Sequence, residues 1–275
     1  MDPLARIRTW PASTAAAGVA GPTGVLARHG PVDRVLPIAS VTKLLTATAV
    51  MVAVEEGAVG LDEPAGPPGS TLRHLLAHAS GLGMDSRTAL TAPGTRRIYS
   101  NVGFEVLAEA VEHATDIPFG RYLAEAVTQP LGLAHTRLAG SSAHGAVSSL
   151  GDLLVLAGEF LVPRLLHPQT LREATTVAFP GLAGVVPGFG LQDPNDWGLG
   201  FELRDAKSPH WTGGANSADT FGHFGRSGAF LWVDPAARLA CVCLTDREFG
   251  EWAQQAWPEL SDAVLAQWQR DEEGR

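Results

Sequence analysis

Apolar side chains recur at helical spacing through the first two thirds of the chain. An apolar run from Leu44 to Val54, with Gly57 as a C-terminal stop, predicts a buried helix from Ser40 to about Glu56. Apolar residues at positions 102, 106, 107, 110 and 111 form one stripe that predicts a helix over 102–115. Shorter helices are predicted over 71–78, 119–127 and 149–161. The middle of the chain is therefore expected to be mainly helical.

The last third of the chain changes to the pattern of strands. Candidate strands cover 197–203, 229–233 and 239–245, and Asp234-Pro235 forms a turn that makes the last two a hairpin. Two short strands are predicted near the other end, around Gly21-Pro22 and around the turn at 29–31. A Gly- and Pro-rich stretch, 185–200, precedes the C-terminal strands, and a closing helix is predicted from about 251 to 269.

This order of elements predicts an α/β (α+β) fold, in which helices flank an antiparallel sheet. Residues 1–60 and 197–275 are expected to form one discontinuous α/β lobe, because both chain ends carry predicted strands. Residues 61–196 are expected to form an inserted, mainly helical lobe.

Composition and charge exclude some classes of function. A length of 275 residues with 45% hydrophobic side chains allows a substantial core. The net charge of −9 argues against a nucleic-acid partner, which would call for a basic stripe. No apolar stretch reaches the roughly 20 residues that a membrane span needs. We make no prediction of the oligomeric state.

The N-terminal segment and the cysteines indicate the compartment. The small-residue run 12–20 is interrupted by Ser13, Thr14 and Gly18, whereas a signal peptide needs a continuous apolar core of about 7–15 residues. Cys241 and Cys243 alternate along a predicted strand and share one face, which suits reduced core residues. We therefore expect a cytoplasmic protein.

Ser40 and Lys43 supply the first candidate chemistry. They are three residues apart at the start of the predicted helix, so their side chains can meet on one face. A serine hydroxyl is a weak nucleophile until a base takes its proton. A lysine can be that base when burial lowers its pKa, and the apolar run after Lys43 would supply the burial.

Two further segments carry candidate site residues. Tyr99-Ser100-Asn101 follows a turn at Pro93-Gly94, and the chain has only two tyrosines. The segment 222–228, which begins Gly222-His223-Phe224-Gly225-Arg226, precedes the predicted hairpin.

Together the three segments resemble the penicillin-recognising serine hydrolases, which comprise serine β-lactamases, D-alanyl-D-alanine peptidases and related esterases. Ser-x-x-Lys is a signature of this superfamily. Tyr-x-Asn is the second motif of its class C β-lactamase-related branch, and the flanking segments 39–43 and 75–82 also look like that branch. The resemblance extends from about residue 20 through the closing helix.

The resemblance implies a role for each motif residue. Ser40 would be the acyl-forming nucleophile, and Lys43 and Tyr99 would share the proton transfers, with the tyrosine oxygen kept anionic or poised by Lys43. Asn101 would hydrogen-bond Lys43 and the substrate. His223-Phe224-Gly225 would occupy the place of the family's Lys-Thr-Gly strand and bind substrate. The backbone N–H groups of Ser40 and Arg226 would form the oxyanion hole.

The implied function is a serine hydrolase that acts through an acyl-enzyme on small ester or amide (peptide-like) substrates, without metal or cofactor. His223 replaces a charged lysine, which argues against strong binding of a β-lactam carboxylate, although Arg226 can supply that charge. A true β-lactamase and a non-catalytic, penicillin-binding sensor domain are the alternatives.

Each candidate residue also has a purely structural interpretation. Ser40 can cap a helix while Lys43 faces solvent, and Asn101 can cap the following helix. The remaining candidates can be core or surface residues: Tyr99, His223 and Arg226. His74 and His78 have the i, i+4 spacing of zinc ligands, but the glutamate of His-Glu-x-x-His is absent, so no metal site is expected.

Overall fold

The computed structural model describes residues 2–273. Seven α-helices are found in this range: α1 (Thr42–Glu55), α2 (Leu72–Leu76), α3 (Asn101–Thr115), α4 (Phe119–Leu123), α5 (Leu150–Leu161), α6 (Pro168–Ala174) and α7 (Glu251–Glu273). Short 3-10 turns cover Pro3–Thr9 and Ala39–Val41, and one π-helical turn covers Ala124–Thr128. None of the helices between residues 2 and 273 is long and apolar enough to cross a bilayer.

The main sheet joins the two ends of the chain. Its strands are β1 (Ala15–Gly21), β2 (Gly24–His29), β8 (Glu202–Leu203), β9 (Phe221–Gly225), β10 (Ala229–Asp234) and β11 (Leu239–Thr245). Five short strands lie outside it: β3 (Leu36–Pro37), β4 (Arg137–Leu138), β5 (Ala146–Ser148), β6 (Gly184–Val186) and β7 (Gly190–Gln192). The main sheet has the order β2-β1-β11-β10-β9-β8, and every pair in it is antiparallel. The predicted fold class is confirmed.

The two faces of the sheet belong to two hydrophobic clusters. Along β11, Val242 and Leu244 join the cluster that contains α1, α3 and α5, whereas Cys241 and Cys243 face α7 and the 3-10 turn Pro3–Thr9. This alternation follows from the two-residue period of a strand. Both cysteines are buried and unbonded to each other, which confirms the prediction that they are reduced core residues on one face.

Several element predictions differ from the structure in extent. The N-terminal strand begins at Ala15, within the small-residue run, and the second strand ends at His29. The strand predicted over 197–203 is wrong for most of its length, because only Glu202–Leu203 is extended and Gly200 adopts a positive φ of 90°. Helix α6 and the 3-10 turn Pro3–Thr9 have no counterpart in the sequence-based prediction.

The proposed division into two lobes places α5 in the helical insertion. In the structure α5 packs on the main sheet, against β1, β10 and β11. Helix α1, assigned to the other lobe, contacts α3, α4 and the π-helical turn. The segment that carries Ser40 and Lys43 thus lies where the sheet layer and the helices meet, and the lobe boundaries remain a prediction.

Candidate active site

Ser40 lies in a tight turn that leads directly into a buried helix. The 3-10 turn Ala39–Val41 precedes α1, and Ala39 has a φ of +43°, which places it in the left-handed region. A non-glycine residue in that region carries a backbone strain of about 1–2 kcal/mol. Lys43 follows in the first turn of α1, and its Nζ lies 3.5 Å from Ser40 Oγ. The structure therefore brings the two residues together as their spacing predicts.

Lys43 is buried beneath Ser40 and is held by two acceptors. Its Nζ donates to Asn101 Oδ1 at 2.7 Å and to the Ala143 carbonyl at 2.9 Å. Burial lowers the pKa of Lys43 to about 7, although the Asp85 and Glu105 carboxylates oppose that shift. A large fraction of Lys43 is consequently neutral near pH 7, which a proton acceptor for Ser40 requires.

Tyr99 lies two residues before the start of α3 and beside the lysine. Lys43 Nζ is 4.7 Å from the centre of the Tyr99 ring, and the His78 ring packs on the same tyrosine at 4.6 Å. Burial raises the pKa of Tyr99, and the approach of the Ser40 hydroxyl opposes this only in part. A raised pKa favours the protonated phenol, and the expected role of Tyr99, anionic or poised by Lys43, remains a prediction.

Asn101 connects the lysine to a carboxylate that the sequence did not indicate. While its Oδ1 accepts from Lys43, its Nδ2 donates to Asp85 Oδ1 at 2.8 Å. Both hydrogen bonds define which end of the amide faces the lysine. Asp85 lies in the loop between α2 and α3, and no motif marks it, so only the folded structure assigns it to the site.

His223 is a neutral buried imidazole on β9. Its Nδ1 lies 2.7 Å from the Phe224 carbonyl and must carry the proton to donate to it. Burial, together with the Lys43 charge, lowers the pKa of His223 to about 3. Its Nε2 is buried and has no hydrogen-bond partner among residues 2–273. His223 thus offers a lone pair to the site, where the family's lysine would offer a positive charge.

The three residues after His223 differ in their burial and in their contacts near Ser40. Phe224 is buried and lines the cavity. A Cβ atom on Gly225 would overlap the Ile38 carbonyl oxygen and lie 3.1 Å from Ser40 N, so glycine is needed here for close packing against the turn that carries Ser40. The Arg226 side chain is exposed at the mouth, 3.6 Å from a Glu248 carboxylate oxygen. All four candidates of this segment therefore lie near Ser40.

These side chains enclose a cavity of about 350 Å³. Its lining includes Ser40, Asp85, Tyr99, Asn101, Glu202 and His223, with Trp197, Phe224 and Phe249 as apolar walls. Burial alone would raise the pKa of the Glu202 carboxyl. The Lys207 ammonium and a hydrogen bond with His210 instead lower this pKa to about 2. Trp197 lines this cavity while buried.

His74 and His78 have separate surroundings. His74 stacks on Phe179 with ring centres 4.3 Å apart. His78 follows the end of α2 with a positive φ of 53°, and its Nδ1 accepts a hydrogen bond from the Ser100 backbone at 3.1 Å. The end of α2 at Leu76 removes the helical register on which their zinc-like spacing depended.

The chain was compared with known proteins. A family model described as Beta-lactamase matches residues 12–265. The D-alanyl-D-alanine-carboxypeptidase/endopeptidase AmpH of Escherichia coli (strain K12) is 28% identical over 141 residues, which are 38% of this chain and 37% of AmpH. The matches to this and another curated relative cover less than half of their lengths.

Two solved structures share the fold over nearly the whole chain. A β-lactamase from Mycobacterium bovis is 60% identical, covers 97% of this chain and 99% of its own, and superimposes with a TM-score of 0.96. Unliganded simvastatin synthase from Aspergillus terreus has a TM-score of 0.79 at 19% identity, over 98% of this chain and all of its own. The second likeness is one of fold alone.

Proposed function

Because the chain belongs to the β-lactamase family, we propose that it is a serine hydrolase that cleaves small esters or amides through an acyl-enzyme on Ser40. The observation that carries this proposal is the buried Lys43 amine, 3.5 Å from Ser40 Oγ and with a pKa of about 7. A neutral amine at that distance is the base that an unactivated serine lacks.

Acylation begins with a proton transfer from Ser40 to neutral Lys43 as Oγ attacks the substrate carbonyl carbon. The new C–O bond converts the carbonyl to a tetrahedral oxyanion, which the backbone N–H groups of Ser40 and Arg226 would stabilise. Gly225 packs the end of β9 against the backbone of Ser40. This packing would bring the N–H groups of Ser40 and Arg226 to one side of the substrate carbonyl. The C–O or C–N bond to the leaving group then breaks.

The leaving group must receive a proton as it departs. Protonated Tyr99 lines the cavity and is suited to donate it, after which the Lys43 ammonium restores the phenol. In the second half of the cycle a water attacks the acyl-enzyme and loses a proton to Lys43. The ester bond to Ser40 then breaks, and Oγ regains its proton.

The charge of the cavity favours substrates without a carboxylate next to the reacting bond. His223 is neutral at the place of the family's lysine, and Asp85 and Glu202 add acidic groups to the lining. The exposed Arg226 is already beside Glu248. Uncharged esters and amides therefore fit this cavity better than anionic β-lactams.

A true β-lactamase is the second candidate, and the 60% identity to the M. bovis β-lactamase favours it. Turnover of nitrocefin tests it directly. A rate that exceeds that for neutral esters would make β-lactam hydrolysis the better description of the activity, whereas turnover of esters alone would support the first proposal.

The proposal is tested by intact mass spectrometry with a fluorophosphonate probe. We expect the wild-type protein to gain one adduct and Ser40→Ala to gain none, because the phosphonyl group traps an activated serine. The matched control is Ser142→Ala, whose hydroxyl is buried and bonded to the Phe104 carbonyl. Absence of labelling in folded wild-type protein would contradict the proposal and favour a non-catalytic binding domain.

A further inference from the structure

A second, more apolar cavity adjoins the one that contains Ser40. It has a volume of about 490 Å³ and includes Met84, Leu90, Ile98, Tyr99, Val185 and Pro187 in its lining. Three of these residues, Met84, Tyr99 and Pro187, also line the active-site cavity. The two spaces therefore adjoin at the Tyr99 ring, and we call the second one the apolar groove.

The apolar groove exposes large hydrophobic side chains to solvent. Leu90 is 65% exposed, Val185 is 51% exposed, and Met84 is 46% exposed. Val185 is also the cross-strand partner of Leu191 in the β6–β7 hairpin, and Leu191 is 63% exposed. Single exposed apolar residues are ordinary, but several that converge on one cavity mark a binding surface.

The buried arginine of the groove is not available to an ionic ligand. The Arg97 guanidinium is buried and donates to four backbone carbonyls, those of Ala77, Ala178, Phe179 and Asn195. Its hydrogen-bonding capacity is consequently used within the protein. Arg96 is exposed at the edge. The groove floor is thus suited to an uncharged aliphatic chain.

We propose that the apolar groove binds the aliphatic acyl chain of the substrate, so that the enzyme prefers acyl groups longer than acetyl. This inference rests on the proposed function, because it places the reacting carbonyl at Ser40. An acyl chain extending from that carbonyl past Tyr99 and Met84 enters the groove and covers Leu90 and Val185. Burial of a methylene contributes about 0.8 kcal/mol, which corresponds to about fourfold in kcat/KM.

The test is a series of p-nitrophenyl esters from acetyl to octanoyl, with each kcat/KM divided by the rate of spontaneous hydrolysis of the same ester. For the wild-type protein we expect a rise of up to about fourfold per methylene. Leu90→Ser and Val185→Ser should reduce this increment while leaving the acetyl ester nearly unchanged. Val155→Ser is the matched control, since Val155 is 45% exposed on α5 and lines neither cavity.

Equal increments in the wild-type protein and both groove variants would overturn the proposal. A parallel series of acetate esters with lengthening alcohols separates the two sides of the substrate. If the groove variants alter only that series, the groove binds the leaving group and the acyl assignment is wrong.

A binding measurement separates this inference from the proposed function. Calorimetric titration of Ser40→Ala with the acetyl and octanoyl esters requires no catalysis. Tighter binding of the octanoyl ester that is lost in Ser40→Ala/Val185→Ser would support the groove even if wild-type protein failed to react with fluorophosphonate. Equal binding of the two esters, alongside normal labelling of Ser40, would remove the groove proposal and leave the hydrolase proposal standing.

Discussion

Asp85 and Asn101 form a hydrogen bond of 2.8 Å at the wall of the active site, from the amide Nδ2 to the carboxylate. Because the other end of the same amide accepts from Lys43, the carboxylate is coupled to the Lys43 amine through a single side chain. Asp85 therefore has two effects on the site. It orients Asn101, and its negative charge favours the protonated form of Lys43.

Replacing Asp85 should shift the pH dependence of catalysis. Lys43 must be neutral to accept a proton, so kcat/KM should rise with pH around its pKa of about 7. Asp85→Asn keeps an acceptor for Asn101 but removes the charge, so the pKa of Lys43 should fall and the rising limb should move to lower pH. The measurement is a pH profile of kcat/KM with a neutral ester.

The other groups near Lys43 provide the comparisons. The Glu105 carboxylate also raises the pKa of Lys43, so Glu105→Gln should shift the limb in the same direction. His78 and His223 are buried with lowered pKa values, and the pKa of Tyr99 is raised, so all three stay neutral across this range. Glu109→Gln, on the exposed side of α3, should leave the limb in place. An unchanged midpoint in Asp85→Asn would contradict the coupling.

Gly225→Ala should separate β9 from the turn that carries Ser40. The added Cβ would overlap the Ile38 carbonyl and meet Ala39 Cβ at 3.1 Å, within the turn that carries Ser40. Overpacking of this kind costs about 1–3 kcal/mol of stability. A displacement of about 1 Å at a catalytic centre can cost about 100-fold in rate. We therefore expect a folded protein with a lower melting temperature and a kcat reduced by about that factor.

Gly120→Ala is the matched control for that variant. A Cβ on Gly120 in α4 would have no neighbour within 4 Å, and the residue is helical. Alanine should stabilise the helix by about 0.5–1 kcal/mol and leave kcat unchanged. If Gly225→Ala retained wild-type kcat, the close packing of β9 on Ser40 would not be needed for catalysis.

The parts of the site that could be predicted are those encoded by short-range spacing. Ser40 and Lys43 meet because they are three positions apart at a helix start, and Tyr99 and Asn101 lie on either side of Ser100, the N-cap of α3. The pKa of Tyr99, however, depends on tertiary burial. The resemblance to a family therefore indicates the tyrosine, whereas the raised pKa of its phenol follows only from the folded structure.

Short-range sequence spacing could not predict three residues of the site: Asp85, Trp197 and Glu202. Each reaches the cavity through packing between segments far apart in sequence, and none belongs to a local pattern. The strand predicted over 197–203 failed for a related reason: Gly200 turns against α1, where a Cβ would overlap Ala47. Such close approaches depend on the partner surface, which the local sequence does not contain.

Acid should destabilise the protein through its buried histidines. Burial lowers the pKa of both His78 and His223, so the unfolded chain binds protons that the folded chain does not. Their contribution to stability is complete above the unfolded pKa of about 6.5 and is lost as the pH falls toward the folded values. Each histidine should contribute at most about 1.4 kcal/mol per pH unit to the slope of the unfolding free energy against pH.

Urea unfolding between pH 7 and 5 measures that slope. Lys43 and Glu202 are the charged groups with the largest effects on His223, and Glu202 has a pKa of about 2, so it does not titrate in this range. His223→Gln should make the unfolding free energy less dependent on pH. His113→Gln, on the exposed side of α3, is the control and should not. Equal slopes in the two variants would contradict a lowered pKa of His223 in the folded chain.

Lys43→Met should separate activity from stability. The variant lacks the base, so kcat should fall by about 100-fold to 10⁴-fold. Lys43→Arg should not restore it, because a guanidinium stays protonated. The free energy of unfolding at pH 7, in contrast, should not fall. The reason is that Lys43 has a pKa of about 7 in the folded chain, whereas an unfolded lysine has one of about 10.4.

That difference fixes the sign of the pH dependence. Between about pH 7 and 10 the unfolded wild-type chain binds one more proton at Lys43 than the folded chain does, so wild-type stability rises with pH relative to the variant. We expect Lys43→Met to be at least as stable as wild type at pH 7 and to lose this advantage as the pH approaches 10. Chemical denaturation of both proteins across that range measures it. A variant that is less stable at pH 7 by an amount independent of pH would show that the Lys43 hydrogen bonds to Asn101 and Ala143 outweigh the cost of burying its charge.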